Sequence, residues 1–270
     1  MTLMATDSEH RSQCALCGGA LSKRFDLTVL YKYEVAYLEC AQCLSLQTDF
    51  PHWIGEAYSQ NLSSLDTGAA QRNLHNSAAC YVVAKMFGLN NAVDIGGGDG
   101  LLCRLLRDHR INCFVTDKYA RPTYAQGFTE PDFTTPDLVI SFEVLEHFQN
   151  PGTDLEELFR LKPKVLLVST AIYKKQDKDW WYLSPESGQH LFFYSREAIE
   201  FIGRKYGYQF VISSGYILFA RQGLLGSVKA AVLKVLLNWH VCLRLLKPLV
   251  VLLPTSGHWN DRNNLLKQKR

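Results

Sequence analysis

From about residue 90 to residue 221 the apolar positions fall into short continuous runs. The stretches between them repeat with helical spacing. Runs of this length that carry no polar alternation are the signature of strands buried on both faces. They predict strands over Ala92–Ile95, Ile111–Thr116, Asp137–Phe142 and Val165–Thr170. Helices are expected over Leu101–Asp108, about Asp154–Leu161, and Ser195–Tyr206, with Ser195 as N-cap. Tyr208–Ser213 and Tyr216–Arg221 flank Ser214-Gly215 and read as a closing hairpin. Ahead of the alternation, Leu74, Ala78, Tyr81, Val82 and Met86 recur at helical spacing, which predicts a helix over 69–87 stopped by Gly88. Strands alternating with helices make an α/β fold with a mostly parallel sheet, and the hairpin adds an antiparallel edge. Residues 1–12 are polar, 13–50 hold short strand-like runs such as Tyr37–Glu39, and 51–68 form a polar connector with Trp53 and Tyr58.

With 270 residues, the chain has room for one full α/β domain and small appendages. A formal charge of +3 supplies no nucleic-acid footprint, and Lys and Arg form no dense stripe in residues 1–60. The first residues contain no apolar export segment, so a cytoplasmic chain with reduced thiols is the expectation. Four of the eight cysteines form two pairs, Cys14-x2-Cys17 and Cys40-x2-Cys43, separated by 22 residues. Each pair makes a knuckle whose thiolates face one metal, and four thiolates complete a closed tetrahedral Zn2+ site with a structural role. Cys80, Cys103, Cys113 and Cys242 stand in apolar surroundings and read as small buried hydrophobes.

The turn Gly96-Gly97-Gly98-Asp99-Gly100 follows a strand and opens a helix, and Asp117 ends the next strand. Glycines let the backbone bend sharply and approach a ligand, while a carboxylate at the second strand end can accept from two ribose hydroxyls. The spacing Gly96-x-Gly98-x-Gly100 departs from the dinucleotide pattern G-x-G-x-x-G. Asp94 before the turn and Asp99 within it would repel a pyrophosphate and suit a cationic sulfonium and its amino group.

The run Val93–Gly100, then Asp117, then Pro136–His147 resembles class I methyltransferases over residues 70–221. The resemblance implies a doubly wound, mostly parallel seven-stranded sheet and S-adenosylmethionine as cofactor. Asp94, Gly96, Gly98, Asp99 and Gly100 would serve its methionine part, Asp117 its ribose, and Glu143 would complete the cofactor set. The segment Pro131–Phe133 would approach adenine.

Glu143-Val144-Leu145-Glu146-His147 follows the strand 137–142, and His190 precedes the Ser195 helix. Two carboxylates and two imidazoles are a donor set for a hard or borderline divalent cation. The pattern resembles the small-RNA terminal 2′-O-methyltransferases and the ubiquinone-pathway O-methyltransferases, which share E-x-x-E-H. Carried over, Glu143, Glu146, His147 and His190 would hold Mg2+ or another divalent cation. Without metal, His147 or His190 would act as general base, assisted by Glu146. The four-cysteine module, a zinc ribbon, resembles the N-terminal zinc modules of deoxysugar C-methyltransferases. The aromatic run Trp180–His190 is similar to loops in bacterial methyltransferases of cell-surface polysaccharide synthesis. Aromatic rings stack on sugar faces, so a glycan or other small hydroxyl acceptor is expected; Trp180 and Trp181 can equally form a lid.

Residues 224–253 are apolar, with Lys229, Lys234, Arg244 and Lys247 spread through them, so no uncharged run reaches membrane-spanning length. On a helical wheel Leu225, Val228, Val232, Leu236, Trp239, Leu243 and Leu246 share one arc, with Leu233 and Leu237 interrupting the polar one. Such a helix can lie on the inner face of an anionic membrane, or pack on the core or a second subunit. The expected organisation is a zinc ribbon over 1–50, a methyltransferase domain over 69–222 and a basic helical tail over 223–270. Three functional readings remain: methylation of a carbohydrate-type hydroxyl, an RNA-binding or RNA 2′-O-methylating protein, and a catalytically silent scaffold.

Overall fold

The computed structural model describes residues 11–58, 67–253 and 255–268. The polar N-terminal run up to residue 10 and positions 59–66 of the connector lie outside the described residues. In chain order the elements are β1 (Leu21–Val29), β2 (Tyr33–Cys40), β3 (Leu46–Thr48), α1 (Ile54–Ala57), α2 (Ala69–Phe87), β4 (Asn91–Ile95), α3 (Leu101–Asp108), β5 (Asn112–Thr116) and β6 (Leu138–Phe142). They continue as α4 (Pro151–Arg160), β7 (Val165–Ser169), β8 (Phe192–Phe193), α5 (Arg196–Tyr206), β9 (Tyr208–Ile212), β10 (Ile217–Arg221), α6 (Ser227–Leu236), α7 (Trp239–Val241), α8 (Lys247–Val251) and α9 (Gly257–Gln268). A 3-10 turn spans Leu145–His147, and a π-helical stretch joins α7 to α8.

The chain divides into two compact units. The first gathers the described residues within 1–59, 146–154 and 171–201; the second gathers those within 60–145, 155–170 and 202–270. The paired-cysteine region therefore does not stand alone. Its strands join a sheet of order β1-β2-β3-β8, in which Leu46 pairs with Phe193 and Gln47 with Phe192. Val29, Tyr37, Leu46, Trp53, Tyr173 and Phe193 form the apolar core of this unit. Ser195 caps α5, accepting from Ala198 N at 2.9 Å, and its hydroxyl donates to the Cys43 carbonyl.

The second unit is built on a sheet of order β5-β4-β6-β7-β10-β9. The pairs β4–β5, β4–β6 and β6–β7 are parallel; β10 runs antiparallel to both β7 and β9. This is the expected mostly parallel α/β architecture with an antiparallel edge. Six strands are present among the described residues where seven were expected. The stretch from Asp117 to Asp137 carries turns and bends in place of a strand. The registers Ile95↔Thr116 and Phe142↔Ser169 bring the carboxyl ends of the parallel strands together on one rim.

The tail forms the expected C-terminal helices, broken into short segments. Asn238, whose side chain accepts from His240 N and Val241 N, ends one helical segment and caps the next. Leu225 and Leu246 of the expected apolar arc do meet the core, but within α6 the buried side is the other one. Leu233 and Leu237, read as interruptions of a polar arc, are fully buried in the core with Cys242 and Val250, whereas Val228 is 77% exposed. α6 lies against β9, and α2 receives the tail beyond Asn238: α2 buries His75 through Cys80 as one block, Trp239 stacks on His75 at 4.3 Å, and Cys242 Sγ donates to the His75 carbonyl. Farther on, Asp261 of α9 accepts from Arg107 through both carboxylate oxygens, at 2.7 and 2.9 Å, and from Arg104 at 2.7 Å. The Arg107 guanidinium lies 3.6 Å from the Phe128 ring centre, so the ion pair is walled by an aromatic face. No helix among the described residues is long and apolar enough to cross a membrane.

Candidate functional site

In the second unit the expected cofactor residues gather on the carboxyl rim, where open parallel sheets bind ligands. The turn starts with Gly96 N donating to the Thr116 carbonyl at 2.8 Å, and closes with Gly100 N donating to Gly97 O at 3.0 Å. At Gly97 a β-carbon would stand 2.4 Å from Asp94 Oδ2 and 2.6 Å from Val115 Cγ2, so only glycine fits. At Gly98, with φ of +54°, the space on that side is open. Gly98 N donates to Asp117 Oδ2 at 2.9 Å, while Asp117 Oδ1 accepts from Tyr119 N and Ala120 N. A carboxylate offers about four lone-pair directions, so Asp117 keeps acceptor capacity for a ribose hydroxyl. Asp99 is exposed; its carbonyl accepts from Tyr124 N at 2.9 Å. Neither Asp94 nor Asp99 caps α3, whose N-cap is Gly100 without a side-chain bond.

Asp94 is the unusual member. Its carboxylate is buried, and Oδ2 has no hydrogen-bond partner among the described residues. Desolvation, with the negative charge of Asp117 second, pushes its pKa up to about 7. A buried carboxylate without compensation is costly, and a cation brought to the turn relieves that cost. The orphaned oxygen, the glycine cradle and the Asp117 carboxylate together fit a ligand bearing positive charge and a sugar.

Glu143 follows β6 in a left-handed conformation with φ of +52°, uncommon for a residue with a side chain. Ser169 fixes it: Glu143 N donates to Ser169 O and Oγ, and Ser169 Oγ donates to Glu143 Oε1 at 2.6 Å. Ser169 was not among the expected site residues; its signal was a polar position closing an otherwise apolar run. The segment Pro131–Phe133, expected near adenine, lies at the other end of β5. Asp132 Oδ1 accepts from Asn112, the first residue of that strand, and Phe133 packs on Phe114. Residues 119–125 approach the glycine turn in its place, since a β-carbon on Gly100 would meet Ala125 Cβ at 2.8 Å.

In the first unit Glu146, His147 and His190 converge, each offering a ligand atom within 4.8 Å of the others. Their supports are specific. Tyr182 OH donates to Glu146 Oε1 at 2.8 Å. His147 Nδ1 lies 3.0 Å from the Gln189 carbonyl and 3.0 Å from Tyr58 OH; His190 Nδ1 lies 2.7 Å from the Tyr182 carbonyl. A carbonyl only accepts, so each ring carries a proton on Nδ1, and in its neutral form has its lone pair on Nε2. The two rings meet edge to face at 5.0 Å. Glu143, expected as a fourth ligand, belongs to the other unit and is bound to Ser169. Tyr58 and Tyr182 are the supports that sequence reasoning did not identify.

The four paired cysteines also come together. Cys14 and Cys43 sulfurs are 3.6 Å apart, and Cys17 and Cys40 sulfurs 3.5 Å. These separations are far beyond a disulfide bond and match edges of a tetrahedron with metal–sulfur bonds of about 2.3 Å. Burial pushes the Cys17 thiol up to about 12, and the bond with Cys14, with burial second, raises Cys43 further. A divalent metal would reverse both shifts by holding the thiolates.

A family described as "Methyltransferase domain" matches residues 61–213. The chain belongs to this methyltransferase family. As a member it carries a methyltransferase domain, built on a mostly parallel α/β sheet. Among solved structures it is similar to magnesium protoporphyrin IX methyltransferase from Synechocystis PCC 6803 with bound SAH, at 14% identity and TM-score 0.43, covering 63% of this chain and 93% of that one. It is similar to the methyltransferase domain of bacterial CtHen1-C at 18% identity and TM-score 0.40, covering 55% and 98%. A third similar structure is human N-acetylserotonin methyltransferase with SAM, at 14% identity and TM-score 0.40, covering 63% and 65%. A search of curated proteins finds no match.

Proposed function

We propose that this methyltransferase moves the methyl group of S-adenosylmethionine to a hydroxyl oxygen of a carbohydrate or glycan-precursor acceptor. The bound sulfonium supplies an already activated methyl group, so the remaining task is to remove the hydroxyl proton and direct the oxygen. The observation that carries this reading is the Glu146–His147–His190 cluster. Both imidazoles are held through Nδ1–H, which presents Nε2 as base, and Tyr182 orients the Glu146 carboxylate. The same Nε2 atoms with the Glu146 carboxylate are suitable donors for Mg2+ or another divalent cation, which would favour the ionised oxygen. The exposed Trp181 beside Tyr182, whose ring in turn packs on His190, offers a flat apolar surface of the kind that sugar faces stack on.

Asp94, the Gly96–Gly100 turn and Asp117 hold the cofactor in this proposal, with Glu143 fixed by Ser169. The four cysteines hold a structural Zn2+ that orders the N-terminal strands. The test is transfer of a labelled methyl group from S-adenosylmethionine to a panel of free sugars, nucleotide sugars, phenols and short RNAs, with and without EDTA. Labelled sugar product that is lost in His147→Ala or His190→Ala supports the proposal. A metal-dependent preference for the RNA terminal ribose replaces it with the RNA reading. Cofactor binding without transfer to any acceptor replaces it with the scaffold reading.

A further inference from the structure

Residues 201–260 contain seven Lys and Arg and no Asp or Glu, although the whole chain carries only +3. Four of the seven, Lys229, Lys234, Arg244 and Lys247, lie where the chain leaves the sheet and forms α6 to α8, with no acidic residue among them, and the sequence outside 201–260 is net negative. The same stretch carries a second apolar surface. Leu233 and Leu237 of the α6 region are buried, while Val228, Val232 and Val235 are exposed at positions i, i+4 and i+7 of the same helix. At 100° per residue the three valines form one stripe opposite Leu233. Lys229 then stands about a quarter-turn from the stripe on one side and Lys234 about a third of a turn away on the other. The pattern resumes farther along with Leu245, Leu249, Val251, Leu252 and Leu253, again exposed, beside exposed Arg244. Of the fifteen large apolar side chains exposed among the described residues, eight lie between 228 and 253.

We infer that this outward face of α6 to α8, defined by Val228, Val232, Val235, Leu249 and Leu252 and flanked by Lys234 and Arg244, docks on an anionic lipid bilayer surface. A soluble partner would need acidic groups matched to a ridge of aliphatic side chains. A bilayer supplies both demands at once, with hydrocarbon for the valines and leucines and headgroup phosphates for the cations. Lysine at the edge of an apolar stripe is suited to this, because its stem lies along hydrocarbon while its ammonium reaches the headgroups. The inward face is already satisfied by the core, so docking requires no unfolding of the tail. This inference stands apart from the methyl-transfer reading, since it uses none of the cofactor or histidine residues.

The experiment is flotation of the full chain with vesicles of phosphatidylcholine alone and of phosphatidylcholine with phosphatidylglycerol, at low and high salt. Binding is expected only to the anionic vesicles and is expected to weaken with salt. Lys234→Gln with Arg244→Gln should lower partitioning about 10- to 30-fold, at about fivefold per charge near the surface. Val228→Ser, Val232→Ser and Val235→Ser together should lower it at least as much, while S-adenosylhomocysteine binding by calorimetry stays at the parent value as evidence of an intact fold. Equal binding to neutral vesicles, or flotation with neither, overturns the inference. A concentration-dependent dimer in sedimentation, broken by the triple serine variant and indifferent to vesicles, also overturns it and assigns the face to a second copy of the chain. Loss of cofactor binding in the parent protein, with flotation retained, would refute the methyltransferase site and leave this inference standing.

Discussion

Asp94→Asn separates what the fold wants from what the cofactor wants. The Asp94 carboxyl is buried, and its pKa is pushed up to about 7 by desolvation and by Asp117. In the unfolded chain it would titrate at about 3.9. Across roughly pH 4 to 7 the folded state therefore holds a proton that the unfolded state has released, and stability falls as pH rises. The penalty is absent below the unfolded pKa and complete above about 7. About three pH units at about 1.4 kcal/mol each give a cost of up to about 4 kcal/mol at pH 8, and about 1–2 kcal/mol at pH 5. Asparagine keeps the shape and removes the charge, so the apo variant should be more stable than the parent. Its advantage should grow by about 2–3 kcal/mol between pH 5 and pH 8. Urea denaturation at several pH values, followed by tryptophan fluorescence, reads this directly. Cofactor binding should move the other way. Parent affinity for S-adenosylmethionine should rise up to tenfold per pH unit below 7 and level off above, whereas the variant should bind more weakly with a flatter profile. Comparing the losses for S-adenosylmethionine and S-adenosylhomocysteine tells whether the carboxylate serves the sulfonium or the amino group. A variant that loses stability at pH 8, or gains equally at both pH values, would refute the claim that Asp94 is an uncompensated buried charge. Unchanged cofactor affinity would remove its assignment to the cofactor.

Other expectations follow from the same geometry. Gly97→Ala should cost about 1–3 kcal/mol and abolish cofactor binding in calorimetry, because its β-carbon would press on Asp94 Oδ2 and Val115. His190→Ala should lower turnover about 10²- to 10⁴-fold with cofactor affinity unchanged, as removal of a proton acceptor predicts. Metal analysis should find one zinc per chain, none in Cys40→Ser, and a chelator should remove it with loss of the near-UV signal from Trp53 and Trp180. Asp261→Ala should destabilise by about 3–5 kcal/mol, because it leaves Arg107 buried without its bidentate partner. The same pair holds the Asp261 pKa below the usual carboxylate range, so its stabilisation is lost as pH falls through that depressed value.

The cofactor rim was legible in the sequence because its determinants are local. Continuous apolar runs bounded by glycine or aspartate marked β4, β5, β6 and β7 to within about a residue, and the glycine turn with Asp117 marked the ligand end. The cysteine cluster was legible for the same reason, since two knuckles announce four ligands without any long-range information. The stretch after Asp117 was not. It has neither period, and its course depends on Asn112 holding Asp132 and on Tyr119, Ala120 and Tyr124 satisfying carboxylate and carbonyl groups of the turn. The histidine tautomers were equally hidden. Gln189 and Tyr182 decide them through backbone carbonyls, and a backbone carbonyl leaves no mark on side-chain identity.

The tail shows where counting apolar residues on a wheel fails. A wheel ranks arcs by how many apolar residues they hold, and α6 has two such arcs. The larger count, with Val228 and Val232, points that arc inward, yet the core accepts Leu233 and Leu237. Position decides this: α6 lies against β9, and Leu233 and Leu237 join Val211 and Leu218 in the same core. Once Leu233 and Leu237 are spent inward, the valines cannot follow, because opposite sides of one helix cannot face the same core. The residues that break the polar arc are thus the ones that anchor the helix, and the stripe with the pattern of a core face is left outside between two lysines. A helix apolar on opposite sides and basic between them is suited to an apolar environment on each side. The core is one of these, and the bilayer proposed here is the other.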